Sequence, residues 1–302
     1  MQNKPAIIIF AYNRPYHLKK LLKSLEKNIL EYNQKIFLFC DGPKYKNDID
    51  KIDLIKIAVK SSKLNFHFVK YRKKNIGLSK NIIKGVTSAL KKINSCIVLE
   101  DDLILNKKTI DYMNKMLKYF QNDLKIGSIS AYSYLQNYKK FKKYKFYSTK
   151  RHCSWCWGTW SRVWKKIKWN KINYASHFKS QKKINKFSEA GNDLNLLLWG
   201  HYKNLINSWA IRFNYFCSKE NLLSIQTRYT MVINDGRDES GTHERFNLKK
   251  KYNFNFYPKY LSKKKIFNCL ISSENIDNFI KNSHRKSIKL SVKYFLANGK
   301  RL

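Results

Sequence analysis

The stretch Cys96-Ile97-Val98-Leu99-Glu100-Asp101-Asp102 decides how this chain folds. A short apolar run of β-forming residues reads as a buried strand. It ends abruptly in three consecutive carboxylates, in a chain with 20 acidic residues against 62 basic ones. The C-terminal ends of strands are where open α/β sheets bind their ligands. Like charges this close repel and call for a positive partner. A divalent cation carrying a phosphorylated ligand supplies one, because hard cations take carboxylate oxygens and leave positions open for phosphate. An acidic turn paired with lysines is the plainer alternative.

Upstream of this stretch the pattern alternates strand and helix. Residues 6–12 read as a strand. Residues 16–27 read as a helix with Leu18, Leu21, Leu22 and Leu25 on one face. Residues 35–40 form the next strand, closed by the turn signal Asp41-Gly42-Pro43. A helix over 52–61 and a short strand over 66–70 follow. Ser79 is placed to cap a helix whose inner face is Ile82, Ile83, Val86, Leu90 and Ile93. Such a βαβ series predicts an α/β fold with a mostly parallel central sheet flanked by helices.

Downstream, 107–121 reads as a helix with Ile110, Met113, Leu117 and Phe120 facing in, and 126–132 as a strand. Residues 136–150 are Lys/Tyr-rich and loop-like. An aromatic block follows, Trp155-Cys156-Trp157-Gly158-Thr159-Trp160, then helical signals at 160–167, 192–205 and 207–218. Residues 234–243 read as a polar, Gly-containing loop. Residues 249–302 hold 14 Lys+Arg against 2 Asp+Glu, interleaved with Phe, Tyr and Ile.

At 302 residues and 43% hydrophobic, the chain can bury a large core, and disorder is excluded. A net charge of +42 admits two readings. One is an anionic partner: nucleic acid, membrane surface or acidic glycan. The other is a composition rich in Lys, Asn and Ile throughout. The start lacks the pattern of a secretory signal, and no apolar run reaches bilayer length. Six scattered Cys suit reduced thiols. The Cys153/Cys156 pair has no second half, so a zinc site is not expected. A cytoplasmic protein follows, or one peripheral on the cytoplasmic face of the inner membrane.

Taken in order, the strand-end pieces Tyr12-Asn13-Arg14-Pro15, Asp41-Gly42, Asn75-Ile76-Gly77-Leu78-Ser79-Lys80-Asn81 and Glu100-Asp101-Asp102 resemble the GT-A class of nucleotide-sugar glycosyltransferases. Family 2 enzymes and the N-acetylglucosaminyltransferase I type are the nearest in kind. The resemblance spans residues 5–246. It implies a glycosyltransferase domain over 1–248, with a nucleotide-binding half (1–103) and an acceptor half (104–248), and a basic, helical extension over 249–302.

By this resemblance Asp102 holds Mn²⁺ or Mg²⁺, and Glu100 and Asp101 contact ribose or orient metal-bound water. Asp41 meets a uracil-type base or ribose, or serves only its turn; a UDP-sugar is the favoured donor. Asn13, Arg14, Lys80 and Asn81 face base or phosphate, or act as ordinary helix-start residues. The segment 154–164 is similar to a Gly/Trp-rich segment of these transferases. Its tryptophans stack on sugar or pack the core. Gly236-Arg237-Asp238-Glu239-Ser240-Gly241-Thr242-His243 is similar to the end of the catalytic core, with Arg237 toward diphosphate and His243 as a second metal ligand.

One departure stands out. Family members carry an acid before the Trp of Asn207-Ser208-Trp209, where an inverting transfer needs a base. Asp193, Asp238 and Glu239 are the substitutes expected to be catalytic. The acceptor is then a glycan or a lipid-linked sugar at an anionic membrane, as in bacterial polysaccharide or lipopolysaccharide biosynthesis. An inactive nucleotide-sugar binder is the alternative, and a nucleic-acid binder is a further one that rests on charge alone.

Overall fold

The computed structural model describes residues 4–29, 34–135, 145–170, 172–236, 270–271, 274–284 and 286–299. Its first part runs β1 (Ala6–Ala11), α1 (Pro15–Ile29), β2 (Ile36–Cys40), α2 (Asp48–Lys60), β3 (Phe66–Tyr71), α3 (Leu78–Leu90) and β4 (Ser95–Glu100). Then come β5 (Leu103–Leu105), α4 (Thr109–Tyr119), β6 (Ile126–Ser130), β7 (Phe146–Thr149), β8 (Trp157–Trp160) and the short α5 (Ser161–Trp164). The chain continues through α6 (Tyr174–Phe178), α7 (Gln181–Ser188), α8 (Leu194–Tyr202), α9 (Trp209–Lys219), β9 (Leu223–Thr227) and β10 (Val232–Asn234). It closes with β11 (Leu270–Ile271), α10 (Glu274–Ser283) and α11 (Ile288–Asn298).

Among the described residues nine strands make one sheet in the order β11-β7-β9-β6-β8-β4-β1-β2-β3. β1 and β4 are apolar runs without alternation because both faces of a central parallel strand are covered. Edge strand β3 is only partly covered and correspondingly more polar. The β3-β2-β1-β4 half is wholly parallel. β8 then runs antiparallel to both β4 and β6, β9 parallel to β6, and β7 antiparallel to β9. The α/β architecture expected from the sequence is the one observed, with the mixed strands confined to the second half.

Within the β3-β2-β1-β4 half the order reverses once. β1, β2 and β3 progress in one direction, and β4 returns to the other side of β1. The returning helix α3 packs with α5 and α9, whereas α1 packs with α2 and α4. Right-handed crossovers put these two groups on opposite faces of the sheet. The ends of β1 and β4 therefore part, and a crevice opens between them, as at any such switch point.

Several local expectations change. Ser79 does not cap α3: the cap position is Gly77, at φ 79°, and buried Ser79 instead accepts a hydrogen bond from Arg212 of α9. The aromatic block is mostly core. Trp157 stacks on Trp209 with ring centroids 4.8 Å apart, with Trp164 buried beside it, and Trp160 is buried separately, its Nε1 donating to the Leu117 carbonyl of α4 at 3.1 Å. The part of the Lys/Tyr-rich stretch that is described contains strand β7.

The C-terminal helices lean on the body through two small clusters. Ile276 and Ile280 of α10 pack on Leu135 and Tyr147. Leu290 and Tyr294 of α11 pack on Leu196 and Trp199 of α8. Among the described residues no helix is long and apolar enough to cross a membrane.

Candidate active site

The crevice is built from the strand ends. Phe10 lies opposite Glu100 in the β1–β4 ladder, and past this pair the two chains diverge. The Tyr12 amide donates to Asp101 Oδ2 at 3.0 Å, which ties the two strand ends together. Arg14 Nη1 donates to Asp102 Oδ2 at 3.1 Å. A small antiparallel pair, β5 with β10, brings 234–236 alongside. There the Asp235 amide donates to the Asp102 carbonyl at 2.7 Å. Lys20 Nζ reaches Asp235 Oδ2 at 2.6 Å and lies 4.3 Å from the centre of the Tyr16 ring.

Gly236 closes this wall. A Cβ there would lie 2.6 Å from Asp102 Oδ2 and 2.9 Å from Arg14 Nη1. Any other residue would push apart the ion pair it rests on.

The three acids are short of positive charge. Burial pushes the Glu100 carboxyl up to about 8, helped by Asp102 and Asp101. Asp101 rises to about 7, first through burial and then through Asp102, while Arg14 and the Tyr12 amide pull it back. Among the described residues no group of three or more His, Cys, Asp and Glu is arranged to hold a metal ion. The donor set does not fit a protein-only cage. A cation held here would have to be a hard one that takes carboxylate oxygen from Asp102 and fills its other positions with phosphate oxygens and water.

Asp41 is buried under a clamp of amides. Its Oδ1 accepts from Gly42 and Ile76 at 2.9 and 3.0 Å, and its Oδ2 from Gly77 at 2.9 Å. A carboxylate has about four acceptor sites, so roughly one is left. Asn13 turns to Asp48, donating through Nδ2 at 2.8 Å. Asn81 is buried and accepts from Arg72 Nε at 2.7 Å, and Lys80 is exposed on the first turn of α3.

Asp48 is the residue that sequence reasoning missed. It accepts from the Tyr12 hydroxyl, Asn13, and the amides of Lys44 and Tyr45, at 2.5, 2.8, 3.0 and 2.8 Å. Burial alone would raise its pKa. The hydrogen bonds outweigh that and hold it well below the usual carboxylate range. In sequence it looks like one of the two acids in the first turn of α2, Asp48 and Asp50, and no signal separates them.

The β6 side of the same sheet edge is aromatic. Trp155, which leads into β8, meets Tyr132 at 4.6 Å, and Tyr132 meets Tyr134 at 5.3 Å. These three are only partly buried. Behind them Arg151 grips Asp193 through two bonds, Nη1 to Oδ1 at 2.7 Å and Nη2 to Oδ2 at 2.9 Å. Asp193 thus belongs to a different cluster from Asp102. At the position where an acid was expected, Ser208 caps α9 by accepting from the Ile211 amide. Arg237, Asp238, Glu239 and His243 lie outside the described residues.

No protein-family model matches the sequence, and no curated protein matches it. Solved structures give distant likenesses. The mannosyltransferase PcManGT from Pyrobaculum calidifontis, solved with GDP-Man and Mn²⁺, is 10% identical with a TM-score of 0.36, over 53% of this chain and 45% of that one. TarS 1–349 from S. aureus is 14% identical with a TM-score of 0.38, over 54% of this chain and 48% of that one. The same protein with UDP is 15% identical with a TM-score of 0.30, over 42% and 34%. The chain therefore spans about half the length of these structures or less. Likeness at this level carries no functional weight, and the site's own chemistry must carry it.

Proposed function

We propose that this protein is a glycosyltransferase that moves a sugar from a nucleoside-diphosphate donor to a glycan or glycolipid acceptor, of the GT-A kind that the strand-end motifs resemble. The observation that carries this reading is the meeting of Arg14, Asp102 and Gly236 where β1 and β4 part: a cation and a carboxylate in contact, against a wall kept bare by a glycine. Such a crevice suits a diphosphate.

Asp102, with His243, would hold Mn²⁺ or Mg²⁺, which when bound supplies Lewis-acid stabilisation of the charge gathering on the leaving diphosphate. Arg14 adds its charge at the same place. Glu100 and Asp101 contact ribose or orient metal-bound water, and the remaining acceptor site of Asp41 suits the imide of a uracil, favouring a UDP-sugar. Lys80 adds positive charge at the start of α3, where Arg237 would join it. Asn13 and Asn81 act through Asp48 and Arg72, which they hold. Trp155, Tyr132 and Tyr134 offer ring faces to a sugar. The transfer is inverting, with the acceptor's proton taken by Asp193, Asp238 or Glu239. Asp193 can serve only if its pair with Arg151 opens.

The test is a thermal-shift and turnover screen of nucleoside diphosphates and nucleotide sugars, with and without Mn²⁺. Saturation a hundredfold above Kd stabilises by about 2.7 kcal/mol. Asp102→Asn is expected to remove the metal-dependent part of that shift together with turnover, and Gly236→Val to weaken donor binding in a folded protein. Unchanged metal-dependent binding in Asp102→Asn would overturn the assignment. Ser208 as a cap favours a second reading, a nucleotide-sugar binder without turnover, which donor binding with no transfer to any acceptor would establish. Salt-steep nucleic-acid binding that survives loss of all three carboxylates would replace both.

A further inference from the structure

Helix α11 is apolar on two opposite sides. Leu290 and Tyr294, one turn apart, are buried against α8, and the Tyr294 and Trp199 rings lie 5.1 Å apart. On the other side Ile288, Val292, Phe295 and Leu296 are 81%, 52%, 50% and 77% exposed. At 3.6 residues per turn these four fall within an arc of roughly 100°, facing away from Leu290 and Tyr294. Exposed Lys289 and Lys293 run along one border of the strip.

A helix fastened by one side, with an apolar strip on the other and lysines at its edge, has the form of an interfacial helix. Water gains nothing from four such side chains in a row. Nucleic acid does not fit either, because its backbone is met by charge rather than by aliphatic and phenyl groups. A lipid surface with anionic headgroups answers both features. The chain's net charge of +42, and the 14 basic against 2 acidic residues of 249–302, complement that surface.

We propose that α11 docks the protein on an anionic bilayer, with Ile288, Val292, Phe295 and Leu296 entering the acyl boundary and Lys289 and Lys293 meeting headgroup phosphates. The inference does not rest on the transferase reading, and its test uses neither donor nor acceptor.

The full chain is floated with vesicles of phosphatidylcholine alone and of phosphatidylcholine mixed with phosphatidylglycerol. Basic charge alone could draw the protein to the mixed vesicles, so the deciding variant keeps every charge: Val292→Ser with Phe295→Ser and Leu296→Ser. These side chains are exposed, so the unfolding temperature should hold, and Leu296→Ser alone serves if it does not. Wild type is expected to float with the mixed vesicles, and the triple variant to lose about tenfold or more in partitioning. Lys289→Gln with Lys293→Gln should weaken flotation and its salt dependence. Equal flotation of the triple variant, or none by wild type, would overturn the proposal. So would a wild-type dimer that the triple variant breaks while neither floats, since the strip would then face a second copy.

Discussion

His152 shows at the scale of one residue how burial sets a pH limit. Its ring is enclosed, with Nε2 3.2 Å from the Leu222 carbonyl and Nδ1 2.7 Å from Ser128 Oγ. A carbonyl only accepts, so Nε2 carries the hydrogen in the neutral ring. Burial lowers the ring's pKa from 6.5 to about 4. The unfolded chain therefore takes up a proton that the folded one refuses between these values. The ring's own contribution to stability is full above pH 6.5 and falls as the pH drops toward 4, by up to about 3 kcal/mol. Glu100 and Asp101, raised instead, act with the opposite sign, so the measure is the difference in urea midpoint between wild type and His152→Gln, which should shift against wild type as the pH falls. Glu100 and Asp101 owe their raised pKa values to burial too, with like charge added. That difference is why the three acids could be found in the sequence and His152 and Asp48 could not. A run of carboxylates announces its own repulsion. The partners of Asp48 come from Tyr12, Asn13 and the 44–45 amides, which only the folded turn assembles.

At the scale of elements, legibility followed the distance over which burial is decided. β1, β2 and β3 and the helices between them could be read because each strand pairs with the next one in sequence, and α3 and β4 because one is a periodic helix and the other an unbroken apolar run, although β4 returns to β1. β8 was hidden because its four residues carry two Trp, a Gly and a Thr, a pattern shared by a ligand-stacking loop. β7 was hidden in a Lys-rich stretch, and its partner β9 starts more than seventy residues later. α10 invites a test of how an attached element is held. Its Ile276 and Ile280 are fully buried, and Asp277 accepts from the Thr149 hydroxyl and the Lys150 amide at 2.8 and 3.0 Å. Ile276→Ala with Ile280→Ala should remove about 2–5 kcal/mol of local burial per site. Hydrogen exchange should then show α10 opening while the β1–β4 amides keep their protection. Equal loss in both would mean that α10 is part of the main cooperative unit.

At the scale of the molecule, charge dominates. A net +42 on a folded body repels itself, and that repulsion is screened over about 30 Å at 0.01 M salt and about 8 Å at 0.15 M. The melting temperature should therefore rise across that range, by about 2–4 °C for each kcal/mol of repulsion relieved. A fall with salt would show that specific ion pairs such as Arg151–Asp193 outweigh the bulk charge. The sheet's order has a consequence for the chain as it is made. β7 joins β9 on one edge and receives β11 on the other, and β11 is translated more than a hundred residues after β7. Until then no other described strand covers the outer edge of β7, and an open edge of this kind recruits strands from other chains. The two residues at 270–271 thus act as a late seal on that edge, and a chain cut short before them is expected to pair with its neighbours more readily than the full chain.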